Sequence, residues 1–429
     1  MAAQLTTRIV CGKLYTGLAA EFLFNHEIIV RGDEILSVGP AGSFTGEAAL
    51  RDLSAFTVTP GIIDAHIHPA FIDPAELYDD PVKNSDGWRV LSVARTAQKC
   101  LEGGFTTIRA IGWFQEDYVL DAKRFIDRGY LGGARIIACA HALGTTGSHG
   151  DFSQTYRDNP HTADNLVRLN AGTGDGADFF THAVRREKKL GSDFIKIMAT
   201  GGFMSPFDGP DDIQFSDAEL EAIFSTAHAV GLPVTAHAYS PQLIQKLIGL
   251  GIAGIEHGSL MDAETAALME ETGTYLVGTF GPYDAILSAD ESRLAQLGEQ
   301  TRRKFEQYGP RLAEGRKIIV NSSIKLGYGT DIVSVYNNYE SGREYGSLLR
   351  SGLDPFRILQ AATKNNAEIC GIDSFTGTIE PGKAADIAGW RRDLLTDPDA
   401  LRDCAFVMKS GVEYPTGADL AAAAPTARP

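Results

Sequence analysis

Between residues 61 and 331 the chain alternates eight short apolar runs with longer stretches of helical periodicity, and this alternation limits the available folds more than any other feature. The runs are GIIDAHIH (61–68), TTIRAIG (106–112), ARIIACAHAL (134–143), DFIKIMAT (193–200), PVTAHAY (233–239), AGIEHGS (253–259), TYLVGTF (274–280) and IKLGYGTD (324–331). Amphipathic segments lie between them, among them GWRVLSVARTAQKCLEGG, DAELEAIFSTAHAVG with Ser216 as a cap, and SPQLIQKLIGLG closing on glycine. Eight strands with intervening helices predict an α/β fold, a (β/α)8 TIM-like barrel over residues 59–376.

The flanks read differently. Residues 6–58 are short alternating segments broken by Gly, Asn and Asp, and the β pattern returns in FTGTIEPGKAADIAGW and CAFVMKSGVEYPTG. The two ends are therefore expected to share one small discontinuous β-sandwich domain, 1–58 plus 377–418, followed by a flexible tail at 419–429. A long insertion at 144–178 follows the third strand on the face where barrel loops carry function.

Composition removes several classes. With 39 Lys and Arg against 55 Asp and Glu, the net charge is −16, which disfavours nucleic acid or an anionic membrane as partner. No window approaches about 18 consecutive apolar residues, so no membrane span is expected. The first residues lack the basic start and apolar segment of a secretory signal. Five widely spaced cysteines without a CxxC pair fit reduced thiols, and the expected location is cytoplasmic.

Barrel enzymes place their chemistry at the C-terminal ends of the strands. Here the first strand ends in His66 and His68, the fourth carries Lys196, the fifth His237, the sixth His257 and the eighth Asp331. Residues i and i+2 of a strand point the same way, so His66 and His68 can ligate one ion. A lone strand-end histidine is usually a hydrogen-bonded structural residue. Four at one end, joined by an aspartate after GYGTD, favour a metal site over chance placement.

Lys196 lies among Phe194, Ile195, Ile197 and Met198, so its amine is expected to be buried, where an unpaired ammonium is costly and would repel a dication. A carbamate formed with carbon dioxide removes both problems, because it is anionic and offers two oxygens to two metal ions. The competing reading is a lysine that snorkels outward or pairs with Asp193. The carbamate reading implies two divalent ions.

With TPGIIDAHIHP, FIKIM, TAHAY, IEHGS, GTD and the closing GTIEPGKAADIAGW, the chain resembles the amidohydrolase superfamily over nearly its whole length. Within it, the sequence is similar to the two-metal, carboxylated-lysine branch, and there to the imidazolonepropionase-related group that includes Xaa-Pro dipeptidases and ochratoxin-hydrolysing amidases. The resemblance implies that His66, His68 and Asp331 hold one ion and His237 and His257 the other, with carbamylated Lys196 as the bridge. A hydroxide shared by the ions would attack the carbonyl, and Asp331 would act as the base. Zinc is the default for an imidazole-rich, thiolate-free set, with cobalt or manganese as replacements. By the same resemblance Tyr239 binds a substrate carboxylate through its phenol and His149 lies on a substrate-facing loop, against the plainer readings of a packing tyrosine and a surface histidine. In the second strand Ala110 stands where many relatives have an aspartate, and no role is assigned to Arg109. Assembly into symmetric rings or pairs of rings, an octamer included, is expected.

HAYSPQ carries no acid after His237, which disfavours mononuclear deamination, and the small β-domain with its GTIEPGKAADI closure disfavours phosphotriester hydrolysis. The expectation is a metal-dependent amide hydrolase of amidase, carboxypeptidase or dipeptidase type. Its substrate would be an N-acyl amino acid or dipeptide with a free carboxylate. Candidates are ochratoxin A, cleaved to phenylalanine and ochratoxin alpha, and Xaa-Pro dipeptides. The alternatives are a cyclic-amide hydrolase like imidazolonepropionase or dihydroorotase, and an inert metal-binding barrel. Phe71, Trp88, Trp113, Phe203, Phe207, Phe280 and Tyr283 are the aromatics expected on or near mouth loops.

Overall fold

The structure is a computed structural model that describes residues 5–70, 84–112, 117–156, 158–205, 207–287, 299–332 and 342–423. The N-terminal strands β1 (Thr6–Leu14), β2 (Leu23–Arg31), β3 (Glu34–Pro40) and β4 (Ala49–Pro60) lead into the barrel. Its strands are β5 (Ile62–Ile67), β6 (Phe105–Ala110), β7 (Arg135–Ala138), β8 (Ala142–Leu143), β9 (Ile195–Met198), β10 (Val234–Ala238), β11 (Gly254–His257), β12 (Tyr275–Val277) and β13 (Leu326–Gly327). The chain returns through β14 (Ile387–Trp390), β15 (Cys404–Lys409) and β16 (Val412–Tyr414).

The sandwich expected from the two ends takes the form of one continuous seven-stranded sheet, in the order β16, β15, β14, β4, β1, β2, β3. Alternation along β1 and β2 turns Ile9, Cys11, Ile28 and Val30 inward, against Val58, Ile387 and Phe406. Beyond it, Gly417–Ala423 is a helix where a frayed tail is expected, and residues 424–429 lie outside the described residues. Arg135, at the start of β7, reaches Asp386 before β14 at 2.8 Å and joins this sheet to the barrel.

The barrel strands pair in parallel in two arcs, β5–β6–β7 and β8 through β13. The third strand is read from sequence as one run but is broken between β7 and β8, because the amides of Ala140 and His141 leave the ladder for the carboxylate of Glu187. At the other seam, Ala65 N–H donates to Tyr328 O at 2.8 Å, Asp331 N–H to His66 O at 2.8 Å and His68 N–H to Ile332 O at 2.9 Å. Asn366 staples the same seam from below, donating to Ile63 O and Tyr328 O, both at 2.7 Å. It follows a π-helical turn at Ala361–Asn365. First and last strands are thereby held side by side, which brings His66 and His68 next to Asp331.

The helices follow their sequence signals. In Asp217–Val230 the Ser216 cap is part of a full capping box with Glu219, and Gly231 ends the helix in the left-handed region. The insertion at 144–178 is not structureless, since it holds a helix at Pro160–Leu169 capped by Asn159.

Candidate active site

The barrel interior is polar where such barrels usually hold Val, Ile and Leu. Register puts Lys196 beside Thr235 and Ala142, and His237 beside Glu256, so these side chains share the inner face. His66, His68, Lys196, His237 and His257 are all buried. Asp331 keeps 23% of its side chain exposed at the mouth.

Asp331 Oδ1 lies 3.3 Å from Nε2 of both His66 and His68. Candidate ligand atoms of the three residues fall within 4.8 Å of one another, close enough to share one ion. From there the rings run on without a break. His66 is 4.9 Å from His257 and His257 4.6 Å from His237, ring centre to ring centre, and His149 stacks on His237 at 4.4 Å. All the histidines expected at the site from sequence are thus brought together.

Two of the expected ligands are in the left-handed backbone region, His257 at φ +69° and Asp331 at φ +53°. Non-glycine residues there are strained and tend to cluster at functional sites. Gly329 allows the eighth strand to pass close to His66, since a Cβ at that position would meet the Cβ of His66 at 2.6 Å.

The electrostatics suit a cation. Burial depresses the pKa of His68, and depresses His237 and His257 well below the ordinary histidine value, so these rings are neutral donors. Burial pushes the Asp331 carboxyl up, but the neighbouring His66, then His68, hold it well below the usual carboxylate range. Burial lowers His66 as well, but the Asp331 carboxylate and then Glu256 raise its pKa above the ordinary histidine value. A donor set of imidazoles and one carboxylate fits divalent metal.

Lys196 is 1% exposed, and burial lowers its pKa to about 8. Among the described residues no carboxylate forms an ion pair with its amine. Asp193 is engaged elsewhere, with Lys123 at 3.0 Å and the Ala138 amide at 2.8 Å. A neutral amine is the form that adds carbon dioxide.

Tyr239 and His149 both reach this cluster. The Tyr239 hydroxyl is 2.5 Å from that of Tyr283, and its ring packs on His237, His257 and Phe203. His149 Nδ1 meets Ser205 Oγ at 2.8 Å, and Ser205 is bonded to Asp208, so the residue read as a surface histidine is half-buried and next to His237. A Cβ at Gly202 would lie 2.3 Å from the His149 ring, so glycine makes room for it. Of the expected mouth aromatics, Phe203, Phe280 and Tyr283 are buried and Trp88 and Phe207 exposed. Phe71 and Trp113 lie outside the described residues.

Sequence reasoning missed Glu256 and left Arg109 without a role. The two form a buried ion pair in the barrel centre, and the second Glu256 oxygen accepts from His66 Nδ1 at 2.8 Å. An acid one residue before a strand-end histidine, in IEHGS, is the signal that was present.

The model of the Amidohydrolase family matches residues 57–415, most of the chain and all of the residues above. The chain belongs to this family. It is a hydrolytic enzyme of the amidohydrolase fold. It is similar to ochratoxinase of Aspergillus niger, 25% identical over 79% of this chain and 71% of the relative. It is also similar to imidazolonepropionase of Pseudomonas entomophila (strain L48), 24% identical over 84% and 86% respectively. A crystal structure of a Xaa-Pro dipeptidase with bound methionine in the active site superposes with a TM-score of 0.84 at 27% identity, covering 95% of this amidohydrolase and 99% of that chain. Among the described residues no helix of this amidohydrolase is long and apolar enough to cross a membrane.

Proposed function

We propose that this amidohydrolase cleaves the amide bond of an N-acyl amino acid or dipeptide whose leaving group carries a free carboxylate. The observation that carries the reading is the convergence of His66, His68 and Asp331 within 4.8 Å, continuous with His257 and His237 and next to the buried amine of Lys196. His66, His68 and Asp331 would hold one divalent ion and His237 and His257 a second, with carbamylated Lys196 between them. When bound, two such ions, zinc by default, supply Lewis acidity at the carbonyl and a water of lowered pKa.

The remaining steps belong to the protein's own side chains. Asp331, ionised across the neutral range, takes the proton of the attacking water and returns it to the leaving amine nitrogen. Tyr239 and His149, both packed against His237, orient the substrate carboxylate. Phe203 and Tyr283 pack against Tyr239 and add an apolar wall. The relatives named ochratoxinase and Xaa-Pro dipeptidase support two substrates, ochratoxin A and Xaa-Pro dipeptides.

The test is release of free amino acid from a panel of ochratoxin A, Xaa-Pro dipeptides and N-acyl amino acids. Imidazolonepropionate is included because one relative is an imidazolonepropionase. Turnover of at least one carboxylate-bearing linear amide, lost on chelation and restored by zinc, is expected. Opening of the cyclic amide alone would replace this reading with the second one.

A further inference from the structure

Arg109 and Glu256 are an unusual pair to find in the middle of a barrel. They are 1% and 0% exposed, and Arg109 also packs its guanidinium on Phe194 and Tyr275. Taking two such charges out of water offsets most or all of their attraction, so an apolar pair of similar volume would often hold the barrel as well. Stability alone does not account for them.

The division of the carboxylate's oxygens does. Oε1 takes Arg109 Nη2 and the Thr235 hydroxyl, the latter at 2.6 Å, while Oε2 takes His66 Nδ1 at 2.8 Å. An ionised carboxylate can only accept hydrogen bonds, so His66 Nδ1 must carry the proton. In the neutral ring that a metal ligand must be, the lone pair is then on Nε2, the atom that faces Asp331 Oδ1 and shares a cluster with His68. His257 Nδ1 meets the Thr279 hydroxyl at 2.8 Å, which can donate or accept, and His237 Nε2 lies 3.4 Å from Gly201 O.

We propose that Glu256, anchored by Arg109 and Thr235, is a positioning residue that locks His66 in its Nδ1–H tautomer and so keeps Nε2 ready to ligate a divalent ion at the His66, His68 and Asp331 group. The proposal rests on the reading of His66 as a ligand. It gives Arg109 a function without substrate contact: by holding Oε1 it keeps Oε2 of Glu256 turned toward His66.

Glu256→Gln makes the distinction. Arg109 retains the amide oxygen, the amide NH2 turns to His66, and the His66 proton is driven to Nε2, where it blocks ligation. We expect metal affinity at this group to fall about 10- to 100-fold, as when a ligand's orienting partner is lost. After dialysis of the zinc-loaded protein against a competing chelator, the wild type retains two ions per chain and Glu256→Gln about one, by elemental analysis. Nitrogen-15 histidine NMR of the metal-free protein at mildly alkaline pH, with His66 assigned through His66→Asn, reads the tautomer directly. Nδ1–H in the wild type and Nε2–H in Glu256→Gln are expected.

Wild-type Nε2–H at His66, or wild-type zinc retention by Glu256→Gln, would overturn the proposal. If Glu256→Gln does not fold, the wild-type spectrum decides alone. A wild type with Nδ1–H and tight zinc but no activity on any amide would support the positioning role while overturning the substrate reading.

Discussion

Lys196 sits on a barrel strand with its amine within reach of the field of His68, His237, His257, Glu256 and Asp331. Burial brings its pKa to about 8, so a usable fraction is uncharged near neutral pH, which a carbamate requires. Lys196→Ala is expected to lose bound metal and nearly all turnover, with partial recovery when a short carboxylic acid is added to replace the missing anion. Elemental analysis and a rate assay with and without propionate check both. Asp331→Asn keeps the shape and removes the proton acceptor, so amide hydrolysis is expected to fall by at least about 100-fold. Full activity in this variant would remove Asp331 from the base role.

At the scale of an element, the turn after β3 is fixed by one carboxylate. Glu27, on β2, accepts from the amides of Gly42 at 2.8 Å and Phe44 at 2.6 Å, from Ser43 Oγ at 3.0 Å and from Arg8 Nε at 2.7 Å. Burial pushes its pKa up, but these donors outweigh burial and lower it from 4.5 to about 2. A carboxyl depressed in the folded state adds stability that is complete above its unfolded value and fades as pH falls toward its folded one. The wild type should therefore exceed Glu27→Gln in Tm above pH 4.5, with the gap closing between pH 4.5 and about 2. Thermal melts of both proteins across that window provide the measurement, and a gap independent of pH would count against it.

For the whole molecule the decisive joint is where the first and last barrel strands meet. Asn366 donates to Ile63 O and Tyr328 O and accepts from Tyr328 N–H at 3.2 Å, all in a buried setting. Asn366→Ala would leave buried backbone groups without these partners, and a loss of about 3 kcal/mol is expected. Because the same joint sets His66 and His68 against Asp331, the variant should also bind zinc more weakly at temperatures where it remains folded. Calorimetry and zinc titration test the two effects, and unchanged values in both would show that the seam holds without Asn366.

The sequence by itself determined the order of the elements, the barrel class and the short set of side chains at the strand ends. Periodicity and strand-end position are local properties, and His66, His68, Lys196, His237, His257 and Asp331 all occur in short, recognisable segments. What the third strand does at Ala140 and His141 was not legible, because Glu187, far along the chain, takes their amides. Nor was the Arg109, Glu256 and His66 relay, since its partners come from three separate strands and only the packing of the two arcs against each other puts them in contact. The tertiary structure also settled what Lys196 does not do, by occupying Asp193 with Lys123. A residue's type and neighbours in the chain fix which chemistry it can offer. Which partner it meets depends on register and closure, which arise only when distant segments pack together.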